Sequence, residues 1–208
     1  MSSPVERLTR LWEEVQELLK ETPEDAPFRA ALEESVTMLK AALWSARYGI
    51  AWKSGMSLEE FSLQIAVRKH LEELGTDKFF RKVRDLKITT VGVKGNDAFF
   101  VVALPLERKK GVRAYREAAK WVERMEMWLR RPAPRARPNK PEEVLEETVK
   151  SGQLVPHMVL VLMDTYATED LVSGIKGVLK RLRPKRGVYH LWCVNAKELS
   201  VRDLLLWP

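Results

Sequence analysis

The strongest constraint on this chain is a strand–helix–strand pattern near its C-terminus. Residues 158–163 (MVLVLM) and 188–194 (VYHLWCV) are short, almost wholly apolar runs, and the stretch between them, 168–182, repeats its apolar positions at helical spacing. Two such strands joined by a helix must run parallel through a crossover. Parallel strands are buried on both faces, so the rest of the chain has to supply helices above and below them. The predicted class is α/β (α+β): a mixed sheet flanked by helices.

Upstream, residues 86–94 (LKITTVGVK) and 98–104 (AFFVVAL) are β-branched and aromatic runs on either side of Gly95-Asn96-Asp97, the pattern of an antiparallel hairpin. Asp97 is assigned to the turn, and Pro105 ends the second strand. Tyr115, Ala118, Ala119, Val122, Met125 and Leu129 predict a long amphipathic helix over 112–131, and a shorter one follows near 142–151. Ser57-Leu58-Glu59-Glu60 reads as a capping box opening a helix that ends at Gly75.

At the N-terminus, Ser3 and Glu6 form another capping box, with Pro4 in the first turn. Val5, Leu8, Leu11, Trp12, Val15, Leu18 and Leu19 make one apolar stripe to about Lys20. Thr22-Pro23 breaks that helix, and a second runs over 28–48. The expected organisation is a helical hairpin leader, 1–52, before an α/β domain, 53–208. The stripes serve either the hairpin itself or a seam with a protein partner or a second copy.

Charge is uneven. Residues 1–80 hold 10 Lys/Arg against 14 Asp/Glu, and residues 81–208 hold 26 against 15. A basic half of this kind points to a polyanionic partner, nucleic acid above all. No apolar run reaches the roughly 18–20 residues that cross a bilayer, and the first residues lack the pattern of a signal peptide. No membrane contact and a cytoplasmic location are expected. Abundant charged residues and tryptophan also suit a heat-adapted source.

Cys193 is the only cysteine and lies among apolar neighbours, so it reads as a buried strand thiol. His70, His157 and His190 are scattered without metal-ligand spacing and read as structural or surface residues; no metal and no cofactor are expected from them. The glycines form no phosphate-cradling loop. Asp164, at the end of a parallel strand, is assigned to capping the next helix rather than to a ligand.

The succession Ser57-Leu58-Glu59-Glu60-Phe61, the hairpin strand Lys87–Gly95, the strand from Phe99, the helix carrying Tyr115 and the closing β-α-β unit resembles the PD-(D/E)XK, or restriction-endonuclease-like, superfamily. It is most similar to uncharacterised archaeal members with a helical leader. That resemblance implies a carboxylate on the first hairpin strand and Glu-x-Lys on the second, holding Mg or Mn. The matching register places Thr89 or Thr90, Ala103 and Pro105 there, which implies a catalytically degenerate site. A literal Glu-x-Lys stands at Glu107 and Lys109, with Asp85 and Glu60 as partners, and defines the alternative of a metal-dependent nuclease.

Two basic clusters complete the pattern. Arg130, Arg131, Arg135, Arg137 and Lys140 surround a segment with four prolines in ten residues, 132–141; Lys180, Arg181, Arg183, Lys185 and Arg186 end the last predicted helix. Such residues neutralise phosphates without reading sequence, or simply complement helix C-termini. Trp121 and Trp128 read as core rather than as base-stacking platforms. The expected function is a nucleic-acid-binding or complex-forming accessory protein. A purely structural interaction module is the third alternative.

Overall fold

The computed structural model describes residues 3–53, 55–81, 83, 86, 88–106, 112–132, 139–195 and 198–208. Among these, β1 (Lys78–Phe80), β2 (Thr90–Lys94), β3 (Asp97–Ala103), β4 (Val155–Met163), β5 (Val188–Asn195) and β6 (Ser200–Trp207) form one sheet in sequence order. β3, β4 and β5 are parallel, and antiparallel pairs continue the sheet on both sides. The parallel centre is the part that the apolar runs require.

Helices cover both faces. α3 (Leu58–Glu73) packs through Phe61, Leu63, Ile65 and Ala66 on Val101, Val159, Val161, Trp192 and Val194. The opposite face carries Phe100, Val102, Leu160, Leu191 and Cys193 beneath α4 (Val112–Arg130) and α6 (Glu169–Leu182), with Leu145 and Val149 of α5 (Pro141–Lys150) at one end. Strand residues alternate between the two layers, as a pleated sheet demands. Each fully buried aliphatic or aromatic side chain contributes roughly 1.5–3 kcal/mol of transfer free energy, so the central strands dominate the stability of the sheet.

The N-terminal leader is a helical hairpin, α1 (Pro4–Glu21) and α2 (Arg29–Tyr48). The Ser3 capping box is complete: Glu6 N–H donates to Ser3 Oγ (3.2 Å) and Ser3 N–H to Glu6 Oε2 (2.8 Å). At α3 only half of the expected box forms. Glu60 N–H donates to Ser57 Oγ, whereas the Glu60 carboxylate accepts from Gln64 Nε2 (3.4 Å).

Three expectations need correction. The first hairpin strand begins at Thr90 rather than 86, because Leu86 pairs in an isolated bridge with Val83 instead of joining the ladder. β1 and β6 were not foreseen. β1 has three residues, and β6 is an edge strand whose pattern (SVRDLLLW) includes charged, exposed positions. Asp97 opens β3 rather than sitting in the turn, and its side chain leaves the hairpin altogether.

At Gly174 α6 lies tight against α4, and an added Cβ would stand 2.7 Å from Tyr115 Cε2; at Gly177, one turn on, it would meet nothing within 4 Å. The two glycines therefore predict opposite outcomes. Gly174→Ala overpacks the helix interface and is expected to cost about 1–3 kcal/mol. Gly177→Ala is expected to stabilise by about 0.5–1 kcal/mol through helix propensity alone. Urea unfolding of the two variants beside the parent chain measures both signs.

Candidate nucleic-acid interface

The two crossovers of the parallel sheet bring three helix C-termini together. α4 ends at Arg130, α5 at Lys150 and α6 at Leu182, and between them lies a pocket of about 580 Å³. Arg130, Arg131, Lys150, Arg183, Lys185 and Arg186 supply its cationic wall; Leu129, Pro132 and Leu182 supply apolar surface. Five predicted basic residues from two distant clusters thus share one concavity. Lys150 joins them unpredicted, because in sequence it is merely the end of an acidic helix.

Lys140, Lys180 and Arg181 do not line the pocket; Lys140 caps α5, and the other two are exposed on the last turn of α6. Arg135 and Arg137 lie outside the described residues, as do Asp85, Glu107 and Lys109 of the nuclease alternative. Glu60 is described, and it stays on the partly exposed flank of α3. Its neighbour Glu59 turns inward instead, accepting from Leu106 N–H at 2.9 Å.

The pocket is built over a buried carboxylate. Glu126 is 3% exposed, accepts from the Tyr189 hydroxyl and pairs with Arg130 Nε at 2.6 Å. Burial, then the hydrogen bond to Glu126, pushes the Tyr189 phenol far above its ordinary pKa, so it remains a donor. Arg130 reaches on to the carbonyl of Leu182, the last residue of α6. Arg186 Nη1 donates to the carbonyl of Lys150 (2.9 Å), and Lys150 Nζ to that of Pro132 (3.4 Å). The bonds to Leu182 and Lys150 satisfy carbonyls that helix ends leave open, and the bond to Pro132 ties the segment after α4 to α5.

Lys150 is held further by Glu146 at 2.9 Å, with both side chains almost fully buried, and its ammonium stands 4.9 Å from the Trp128 ring. Trp128 itself is core, stacked at a tilt on Phe100; Trp121 is partly buried against the same layer. Arg183 and Lys185 make no ion pair among the described residues, and both are exposed. Arg183 takes a left-handed backbone conformation (φ 48°) that ends α6.

At the opposite, C-terminal end of the parallel strands, Asp164 does not cap α6. Thr168 does, through its hydroxyl, while Asp164 pairs with Arg202 of β6 at 2.6 Å. Cys193 is buried, and that burial raises its thiol pKa to about 11.

The histidines are not scattered in space. His157 Nε2 meets Asp97 Oδ1 (3.1 Å), His157 Nδ1 meets His190 Nε2 (2.9 Å), and His190 Nδ1 meets both oxygens of Asp203 (3.0 and 3.1 Å). The line crosses β3, β4, β5 and β6 on the α3 side of the sheet. His70 of α3 lies edge-on to the neighbouring Trp192 at 4.6 Å. Burial holds the pKa values of His70 and His157 below the usual histidine value. No spacing in the sequence signals this line, since its members are neighbours only through strand pairing.

Glu126→Ala strands the Tyr189 hydroxyl and releases Arg130, and is expected to lower stability by about 1–3 kcal/mol in urea unfolding. Cys193 is expected to resist Ellman's reagent in the native protein and to react fully once the chain is denatured; native reaction at the denatured rate contradicts its burial.

Comparison with known proteins finds no matching family model, no matching curated protein and no matching solved structure.

Proposed function

We propose that this chain binds nucleic acid through the pocket at the ends of α4, α5 and α6, as an accessory protein on a nuclease-like scaffold rather than as a nuclease. The observation that carries the reading is the convergence of two basic clusters, about fifty residues apart, into one cationic concavity. Arg130, Lys150 and Arg186 spend donors on the protein's own carbonyls and hold the wall in place. Arg183 and Lys185 extend from it toward solvent. Contacts of this kind go to phosphates, and they position a strand without reading its bases.

The accessory reading is supported at the hairpin. Where the resemblance calls for two carboxylates and a lysine stand Thr89 or Thr90, Ala103 and Pro105, and the Thr89 hydroxyl accepts from Ala103 N–H at 2.8 Å. That end of the strand pair is closed by its own hydrogen bond. A second reading, docking of a protein partner on the leader, is supported by α1: it has no buried residue, and Val5, Leu11 and Leu18 are each close to half exposed.

The test is fluorescence anisotropy with labelled single- and double-stranded DNA and RNA, without divalent metal, at about 50 and 200 mM salt, where several phosphate contacts should change affinity by orders of magnitude. Arg183→Ala combined with Lys185→Ala is expected to weaken binding and to reduce the logarithmic salt slope by about 0.7–0.9 for each phosphate no longer neutralised. Lys180→Ala with Arg181→Ala, outside the pocket, should do less. Absence of binding to all four probes at the lower salt, or equal weakening by the two pairs, refutes this assignment of the interface.

A further inference from the structure

The line Asp97–His157–His190–Asp203 lies on the face of the sheet opposite the basic pocket and takes no part in the reading above. Its hydrogen count is unusual. An ionised carboxylate can only accept, so each imidazole must donate its outer N–H to its own aspartate: His157 through Nε2, His190 through Nδ1. Two neutral rings own two N–H groups, and both are then used. The inner nitrogens, His157 Nδ1 and His190 Nε2, face each other as lone pairs 2.9 Å apart. That central contact requires a positive guest.

Several features favour a metal cation as the guest. A carboxylate on the outer nitrogen is the usual partner of a metal-bound histidine, because it fixes the tautomer and raises ligand basicity. Here both rings have one. The two aspartates supply the charge that balances a divalent ion. Phe99 stacks on His157 at 4.6 Å and covers one face of its ring. At the usual Zn–N distance of about 2.0–2.1 Å, tetrahedral geometry sets two ligand nitrogens roughly 3.3 Å apart, so the rings separate by a few tenths of an ångström and turn their inner nitrogens toward a point beside the line that joins them. Both rings are largely buried, but Asp97 and Asp203 are 45% and 44% exposed, which leaves the line open to solvent along its edge.

We infer that His157 Nδ1 and His190 Nε2 bind one imidazole-preferring divalent cation of the zinc, cobalt or nickel class. No group of three protein donors converges among the described residues, so water completes the coordination shell. Imidazole donors select these ions over magnesium or calcium, which prefer oxygen. The site is therefore distinct in chemistry, as well as in place, from the Mg or Mn centre of a nuclease.

The experiment uses the full chain without an affinity tag, stripped by chelator, titrated with Zn²⁺ by calorimetry and with Co²⁺ by visible absorption. One ion per chain is expected. His157→Asn and His190→Asn should each abolish binding, and Asp203→Asn should weaken it about 10- to 100-fold. His70→Asn should leave it unchanged. Circular dichroism checks that each variant folds; should a histidine variant fail to fold, Asp203→Asn and the Co²⁺-shifted histidine ring proton resonances of the parent chain, which identify imidazole ligands, still decide. The inference is overturned by the absence of binding at millimolar metal, by stoichiometric binding that survives both histidine substitutions, or by long-range ¹H–¹⁵N spectra in which a proton still bridges the two rings under excess Zn²⁺.

Discussion

The whole arrangement depends on burying both faces of the parallel strands β3, β4 and β5. No loop can do this, because their side chains alternate between two apolar layers and each layer needs a helix. α3 covers one face; α4 and α6, which belong to the crossovers themselves, cover the other. A crossover helix runs back along the sheet, so it ends where the next parallel strand begins. The carboxyl ends of α5 and α6 are therefore delivered to the starts of β4 and β5. A set of open carbonyls at one edge is the unavoidable by-product of the fold, and basic side chains are its natural complement.

This explains why the cationic pocket lies at the strand starts, whereas open α/β sheets usually bind ligands beyond the carboxyl ends of their strands. At that usual place Asp164 is already matched by Arg202. At the strand starts the balance differs. The buried carboxylates of Glu126 and Glu146 pair with Arg130 and Lys150, but Arg183, Lys185 and Arg186 add charge beyond what those two neutralise. Buried ion pairs are weak evidence for stability, since desolvation offsets much of their attraction. Here they orient: the Glu126 carboxylate holds one edge of the Arg130 guanidinium while its other end reaches α6.

Much of the fold is legible in the sequence because burial writes itself into spacing. The stretch 168–182 becomes α6 over Glu169–Leu182, and 188–194 becomes β5 over Val188–Asn195. β6 escaped because an edge strand has one wet face; Arg202 and Asp203 dilute its apolar signal. The basic pocket was half legible. Its residues were visible as clusters, but which of them converge depends on the crossover, so Lys180 and Arg181 were indistinguishable from Arg183 and Lys185. The histidine line was not legible at all. Asp97, His157, His190 and Asp203 are separated by 60, 33 and 13 residues and are joined only by strand register, which no local pattern encodes.

The remaining asymmetry is electrostatic. The acidic excess belongs to residues 1–80, which include α1, α2 and α3, and the basic excess to the sheet and its crossovers. α3 shields the face that carries the aspartate–histidine line; the pocket opens beside the other face. A polyanion approaching the molecule meets repulsion from the helical leader and attraction from the crossover ends. Summed charge of this kind acts over about a Debye length, roughly 8–10 Å at physiological salt, and so selects the direction of approach before any contact forms. The placement of charge along the chain, and not only its total, thus favours encounter at the strand starts.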